Sequence, residues 1–150
     1  MSTTEAYHAQ VALLLRVLPL VDEEPAFALK GGTAINLFVR DLPRLSVDID
    51  LTYMPVEDRS ASLAQIDAAL RRIGARIRAT IQNTGVQLVP LRDERAVAKV
   101  MVKAAGVQIK IEVTPVSRGC VYPPERRTVS AQVEERFGFA EVSVVSFADL

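Results

Sequence analysis

Asp48 and Asp50 stand two residues apart in the run "SVDIDL", and a third carboxylate, Glu112, sits far downstream in the alternating run "VQIKIEV". In a strand, successive side chains point to opposite faces. Asp48 and Asp50 therefore share one face of Ser46–Tyr53, and Val47, Ile49 and Leu51 share the other. Two carboxylates so close repel each other, and burying them unpaired is costly. A divalent cation compensates both effects. Mg²⁺ takes carboxylate oxygens and keeps positions open for water and substrate phosphates. In the downstream run, Val107, Ile109, Ile111 and Val113 face one way, and Gln108, Lys110 and Glu112 the other. If that strand pairs beside Ser46–Tyr53, Glu112 joins the two aspartates. Three carboxylates on two strands can hold two ions, an arrangement that activates a hydroxyl and stabilises in-line displacement at phosphorus. The expected metal set is Asp48, Asp50 and Glu112, and the expected ion Mg²⁺ or Mn²⁺.

The stretch "FALKGGTAINLF" supplies a second element of the same chemistry. Gly31 and Gly32 let the backbone approach a ligand without interference from a Cβ. The helix-like run that follows would present free N–H groups, which favour phosphate, and Thr33 adds a hydroxyl at that end. A triphosphate held between this corner and a metal cluster accounts for both motifs. Taken singly, a Gly-Gly pair is a turn, an Asp-x-Asp strand a solvated face, and Glu112 an exposed strand residue. Their order and spacing together carry the reading.

The elements that must position these groups are legible from periodicity. Residues 4–18 read as a helix with the stripe Val11, Leu14, Leu15 and Leu18, and Pro19 punctuates its end. Phe27–Leu29 reads as a short strand and Thr33–Arg40 as a short helix. Asp58 or Ser60 opens a helix over 59–78, whose stripe is Leu63, Ile66, Leu70, Ile73 and Ile77. Val86–Leu91, Ala96–Ala104 and Val107–Val113 read as an antiparallel meander. "TPVSRGCVYPPERR" reads as a loop, Thr128–Gln132 and Glu141–Phe147 as short strands, and "SFADL" as the start of another helix. The expected fold is α+β: a mixed sheet, the Asp-x-Asp strand central, with helices 4–18 and 59–78 packed on it. The whole chain, 1–150, reads as one domain.

Composition narrows the function classes. Eighteen basic side chains balance eighteen acidic ones, so the formal net charge is zero. No global field draws the protein to nucleic acid, although local patches remain available. The basic candidates are Arg71, Arg72, Arg76 and Arg78, which also suit a solvated helix C-terminus, together with Lys99 and Lys103 on one strand face. A single cysteine, Cys120, excludes an internal disulfide and reads as a small buried thiol. There is no secretory signal at the N-terminus and no apolar run of membrane-spanning length. A cytoplasmic protein with no membrane partner is expected.

The order "LKGGTAINLF … RLSVDIDLTY … IKIEVTP" resembles the polymerase-β-type nucleotidyltransferase superfamily. More narrowly, "FALKGGTAINLF", "LPRLSVDIDL", "KIEVTPVSRG" and "RFGFAEVSVVSFADL" resemble the AbiEii/AbiGii-type nucleotidyltransferase toxins of toxin–antitoxin and abortive-infection systems. The likeness runs over most of the chain. It implies a nucleotidyltransferase-like core that transfers a nucleotide from an NTP to an acceptor, in some members the end of a tRNA. Carried over by position, Gly31, Gly32 and Thr33 hold the triphosphate, and Asp48, Asp50 and Glu112 are catalytic and bind the metals. Lys30 and Ser46 belong to the same local pattern and are expected to touch phosphate. Lys30 and Lys110 are the nearby cations by position for the outer phosphates, although Lys110 also suits an ion pair with Glu112.

The expected partners are thus an NTP, an RNA acceptor such as tRNA, and a cognate antitoxin protein. Two alternatives stand beside this reading. The acceptor is a protein or small molecule, or the chain is a non-catalytic domain that binds nucleotide or antitoxin. Members of the family continue past "SFADL" into a helical region bearing a lysine and an Arg-Asp-x-x-Asp-like motif. The expectation is that residues 1–150 fold and bind metal but transfer nucleotide weakly without it.

Overall fold

This computed structural model describes residues 3–30, 48–92, 95–113, 125–131, 134–135 and 141–144. Among them lie two helices, α1 (Thr3–Asp22) and α2 (Arg59–Thr80). Seven strands accompany them: β1 (Phe27–Lys30), β2 (Ile49–Tyr53), β3 (Gly85–Pro90), β4 (Val97–Ala104), β5 (Val107–Val113), β6 (Glu125–Thr128) and β7 (Glu141–Val144). The strands form one mixed sheet in the order β3-β4-β5-β2-β1-β7-β6. The β2·β5 and β1·β7 ladders are parallel and the other four antiparallel. The α+β architecture is the one expected, with the Asp-x-Asp strand fourth of seven.

The alternation of apolar residues decides which sheet face is covered. Ile49 and Leu51 of β2, Val100 and Val102 of β4, and Ile109, Ile111 and Val113 of β5 are buried in one core with both helices. Helix α1 supplies Val11, Leu14 and Leu18 to that core, and α2 supplies Ile66, Leu70, Ile73 and Ile77. Packing of α2 on β3 is close at Gly74. A Cβ added to Gly74 would stand 3.2 Å from Val86 Cγ1. Asp58 caps α2 by accepting from the Ala61 backbone N–H at 2.8 Å, which satisfies one of the free donors of the first turn.

Two boundaries differ from the sequence reading. Helix α1 does not stop at Leu18; it runs through Pro19 to Asp22. Proline removes one hydrogen bond and crowds the preceding turn, but the extra turn buries Val21, and the Leu20 carbonyl accepts from Arg76 Nη1. The expected strand Thr128–Gln132 is instead Glu125–Thr128, which takes the last three residues of the run read as loop and shares only Thr128 with the expectation. Its sequence, "ERRT", has weak strand propensity. The strand forms because it pairs antiparallel with β7, and because Arg126 reaches Asp22 and Glu141. The expected helix Thr33–Arg40, Cys120, the start of the loop at Thr114, and "SFADL" lie outside the described residues.

The β4–β5 connection is a two-residue turn. Ala104 pairs with Val107, and between them Ala105 and Gly106 have φ of 51° and 78°. Positive φ at both positions is the hairpin geometry that matches strand twist. Glycine adopts it freely, whereas Ala105 does so at a cost. No helix among the described residues is long and apolar enough to cross a membrane.

Candidate active site

One row of residues crosses four strands on the sheet face opposite the helices. Lys30 of β1 is the register partner of Asp50 of β2, Asp50 of Glu112 of β5, and Glu112 of Lys99 of β4. Neighbouring strands lie about 4.8 Å apart, and register partners point the same way. The row therefore reads cation, carboxylate, carboxylate, cation. Asp48 lies immediately before β2, two residues from Asp50, and Lys110 lies two residues before Glu112. The parallel β2·β5 ladder is what brings Asp50 and Glu112 together. Gly31, Gly32, Thr33 and Ser46 lie outside the described residues.

Lys110 draws the two outer carboxylates together. Its Nζ lies 3.1 Å from Glu112 Oε2 and 3.5 Å from Asp48 Oδ2. The Glu112 carboxylate raises the Lys110 ammonium above its ordinary pKa, with Asp48 adding to the effect. Asp50 is different. Burial pushes its pKa up, and the neighbouring Glu112 and Asp48 charges push it further; Lys110 and Lys30 offset only part of this. The centre is thus short of positive charge at Asp50, although a cation already bridges its flanks.

Could these residues hold a metal ion? Among the described residues, no three Asp, Glu, His or Cys side chains converge as a ready-made cage. The donor set nevertheless fits a hard divalent cation. It consists of carboxylate oxygens on adjoining strands, with excess negative charge at Asp50 and with the Lys110 ammonium between Asp48 and Glu112 as a stand-in cation. About a third of each of the Asp48 and Glu112 side chains is exposed, at 38%, which leaves ligand positions accessible.

The four helix arginines do not belong to this face. Arg72 donates to both Glu24 oxygens, at 2.7 and 3.2 Å to Oε1 and 3.2 Å to Oε2, and Arg76 pairs with the same carboxylate. Arg71 pairs with Asp67, and Arg78 donates to the Val86 carbonyl. Arg71, Arg72 and Arg78 are exposed, as expected of a solvated helix end, and the cluster also has a structural use. Its members fasten α2 to the end of α1, to itself and to β3. Lys99 was visible in sequence as a strand-face cation, but its place opposite Glu112 was not. Arg92, in the turn after β3, gave no signal beyond a charged turn. Both line a groove whose wall also includes Glu112.

The model of the family described as "Nucleotidyl transferase AbiEii toxin, Type IV TA system" matches residues 12–150. The chain belongs to the AbiEii family. AbiEii proteins are nucleotidyl transferase toxins of type IV toxin–antitoxin systems, which makes this chain a transferase by family and implies an antitoxin as partner. Among curated proteins, none matches the sequence. The AbiEii match spans both carboxylate strands, so the row Lys30–Asp50–Glu112–Lys99 lies wholly inside the family's domain.

Proposed function

We propose that this AbiEii protein transfers a nucleotide from an NTP to the hydroxyl of an RNA acceptor, tRNA being the leading candidate, at the carboxylates Asp48, Asp50 and Glu112. The observation that carries the reading is the Asp50–Glu112 register partnership, with Asp48 two residues away and cations on both flanks. A bound Mg²⁺ or Mn²⁺ would supply charge neutralisation at the triphosphate and lower the pKa of the attacking hydroxyl. Asp48, Asp50 and Glu112 are the groups to hold it. Lys30 ends β1 beside Asp50 and suits the outer phosphates, as do Gly31, Gly32, Thr33 and Ser46 by resemblance. Lys110 is the second phosphate ligand, free to serve once its carboxylates are otherwise neutralised. The acceptor oxygen forms a bond to the α-phosphorus, the bond from that phosphorus to the bridging oxygen breaks, and pyrophosphate leaves. The hydroxyl proton passes to the carboxylate side. Most of the acceleration then comes from placement and charge rather than covalent chemistry.

The deciding experiment incubates the protein with α-labelled NTPs and Mg²⁺ or Mn²⁺ against total RNA and, separately, total protein. Label in RNA that is lost in Asp50→Asn supports the proposal. Label in protein moves the acceptor to another class. Absence of label together with absence of NTP binding leaves a non-catalytic antitoxin-binding domain.

A further inference from the structure

The row across the sheet is balanced in charge but unequal in pairing. Glu112 is engaged by Lys110 on its own strand. Lys99, its register partner across β4, has no ion pair among the described residues. Lys99 instead lines a groove of about 210 Å³ with Arg92, Val89 and Pro90, and Glu112 is part of the same lining.

Local structure fixes this groove. The β3·β4 register slips between Val89 and Pro90, and Leu91 N donates to Ala96 O to close the hairpin. Such a bulge bends a strand and re-aims its side chains. The Val97 N–H at the start of β4 donates to Asp67 Oδ1 at 2.8 Å, so α2 holds the strand that carries Lys99. The result is two cations over an apolar wall, on a backbone anchored from behind.

We propose that this groove is the acceptor subsite of the transfer proposed above, with Lys99 and Arg92 holding phosphates of a single-stranded RNA end whose hydroxyl lies against Glu112. The inference rests on that functional reading and deepens it. In-line displacement puts nucleophile and leaving group on opposite sides of phosphorus. Lys30 lies on the β1 flank of the carboxylates, and under the proposed function it addresses the triphosphate, which puts the triphosphate on that side. The nucleophile must then enter from the β4 flank, where the groove lies. Two cations with no ion pair among the described residues suit a polyanion, and the wall of Val89 and Pro90 suits the less polar face of a ribose. The space is below the roughly 300–1,000 Å³ of pockets that enclose whole drug-sized ligands. It suits a phosphate and its sugar, with the rest of the strand outside.

The test compares the protein with its Arg92→Gln/Lys99→Gln double variant. Arg92 is exposed and Lys99 has no ion pair among the described residues, and a melting curve checks that the variant folds. Binding of a single-stranded RNA oligonucleotide with a free 3′ hydroxyl is measured by anisotropy over a salt series. Binding of a fluorescent NTP with Mn²⁺ is measured in parallel. The double variant is expected to lose roughly tenfold in RNA affinity at low salt, and its salt slope to shrink by about 1.4, or ~0.7 per lost single-strand contact. NTP affinity should stay within about twofold, since the two contacts address different phosphates. Lys99→Arg should retain most RNA binding. Unchanged RNA affinity and slope overturn the proposal. So does a loss confined to NTP, which would give the groove to the donor. A wild-type protein that binds NTP and Mn²⁺ but not RNA overturns the groove alone. One that binds none of them overturns the functional reading as well.

Discussion

Lys110 Nζ lies 3.1 Å from Glu112 Oε2, two positions away on the same strand, and the same ammonium reaches Asp48 Oδ2 at 3.5 Å. A positive charge therefore occupies the space between two of the three carboxylates. Any divalent cation that binds there competes with it.

Lys110→Met should expose that competition. Without the ammonium, the repulsion among Asp48, Asp50 and Glu112 is less compensated, and the ion-free protein should lose roughly 0.5–1 kcal/mol, as for a partly exposed ion pair. The rise in Tm on adding millimolar Mn²⁺ should be larger than in wild type, because binding no longer displaces an internal cation. NTP affinity should fall if Lys110 then grips phosphate. Differential scanning calorimetry with and without Mn²⁺ reads the first two effects. An equal Mn²⁺ response in both proteins would place the ion elsewhere.

Asp50→Asn should act in the opposite sense. Burial, followed by the Glu112 and Asp48 charges, raises the Asp50 pKa. Its ionised form is therefore a net cost to the fold. The favourable contribution is complete below the ordinary aspartate range and is lost as pH rises through the raised folded value. At neutral pH the ion-free variant should be more stable by a few tenths to about 1 kcal/mol, the scale of a like-charge cross-strand pair. The gain should vanish near pH 3, and Mn²⁺ should no longer raise the Tm. Urea melts at pH 3 and pH 7 test the sign.

Glu24→Gln addresses the fastening of the helices. Glu24 is 5% exposed. Burial alone would raise its pKa, but hydrogen bonds and charge from Arg72 and Arg76 outweigh that and leave it below the ordinary range. Its stabilisation is therefore present above the ordinary glutamate pKa and is lost as pH falls through the lowered folded value. The variant should cost about 1–3 kcal/mol at pH 7, the scale for hydrogen bonds to a charged group. The difference from wild type should shrink on acidification below about pH 4. A gap that is constant from pH 7 to pH 3 would mean that packing, not the charge, accounts for the loss.

Ala105→Gly or Ala105→Asn should stabilise the hairpin. Ala105 has φ of 51°, where a Cβ is strained and glycine or asparagine is not. The expected gain is about 0.5–1 kcal/mol, since each change relieves one left-handed residue. It should appear as a higher urea midpoint with an unchanged slope. A lower midpoint would show that the alanine methyl makes a contact worth more than its strain.

Much of this was legible in sequence for a physical reason: period-two and helical alternation report which face is buried. Strand β5 lies over Val107–Val113 as its alternation requires, and α2 opens at its Asp58 cap. What alternation cannot report is which strand lies beside which. The pairing of Asp50 with Glu112 was conditional on a neighbour relation that only the sheet order supplies. The arginines of α2 illustrate the same gap, since Glu24, their partner, lies 48 positions from Arg72. Strand β6 was misplaced because its residues favour neither class, and its ladder to β7 and the Arg126–Asp22 contact decide the outcome. Pro19 misled in the other direction: a local rule yielded to burial of Val21 and the Arg76 contact.

A ribosome delivers Asp50 well before Glu112. Strand β2 is made and free of the exit path while the β4–β5 hairpin is still untranslated, and the parallel ladder that joins the two carboxylates has nothing to form with. At about 5–20 residues per second, the roughly sixty intervening residues take on the order of 3–12 s. During that interval the nascent chain carries Asp50 without its register partner Glu112. The long sequence separation across one ladder thus works as a built-in delay: the carboxylate row assembles only after most of the chain exists, and any break in synthesis before β5 yields a product that lacks it.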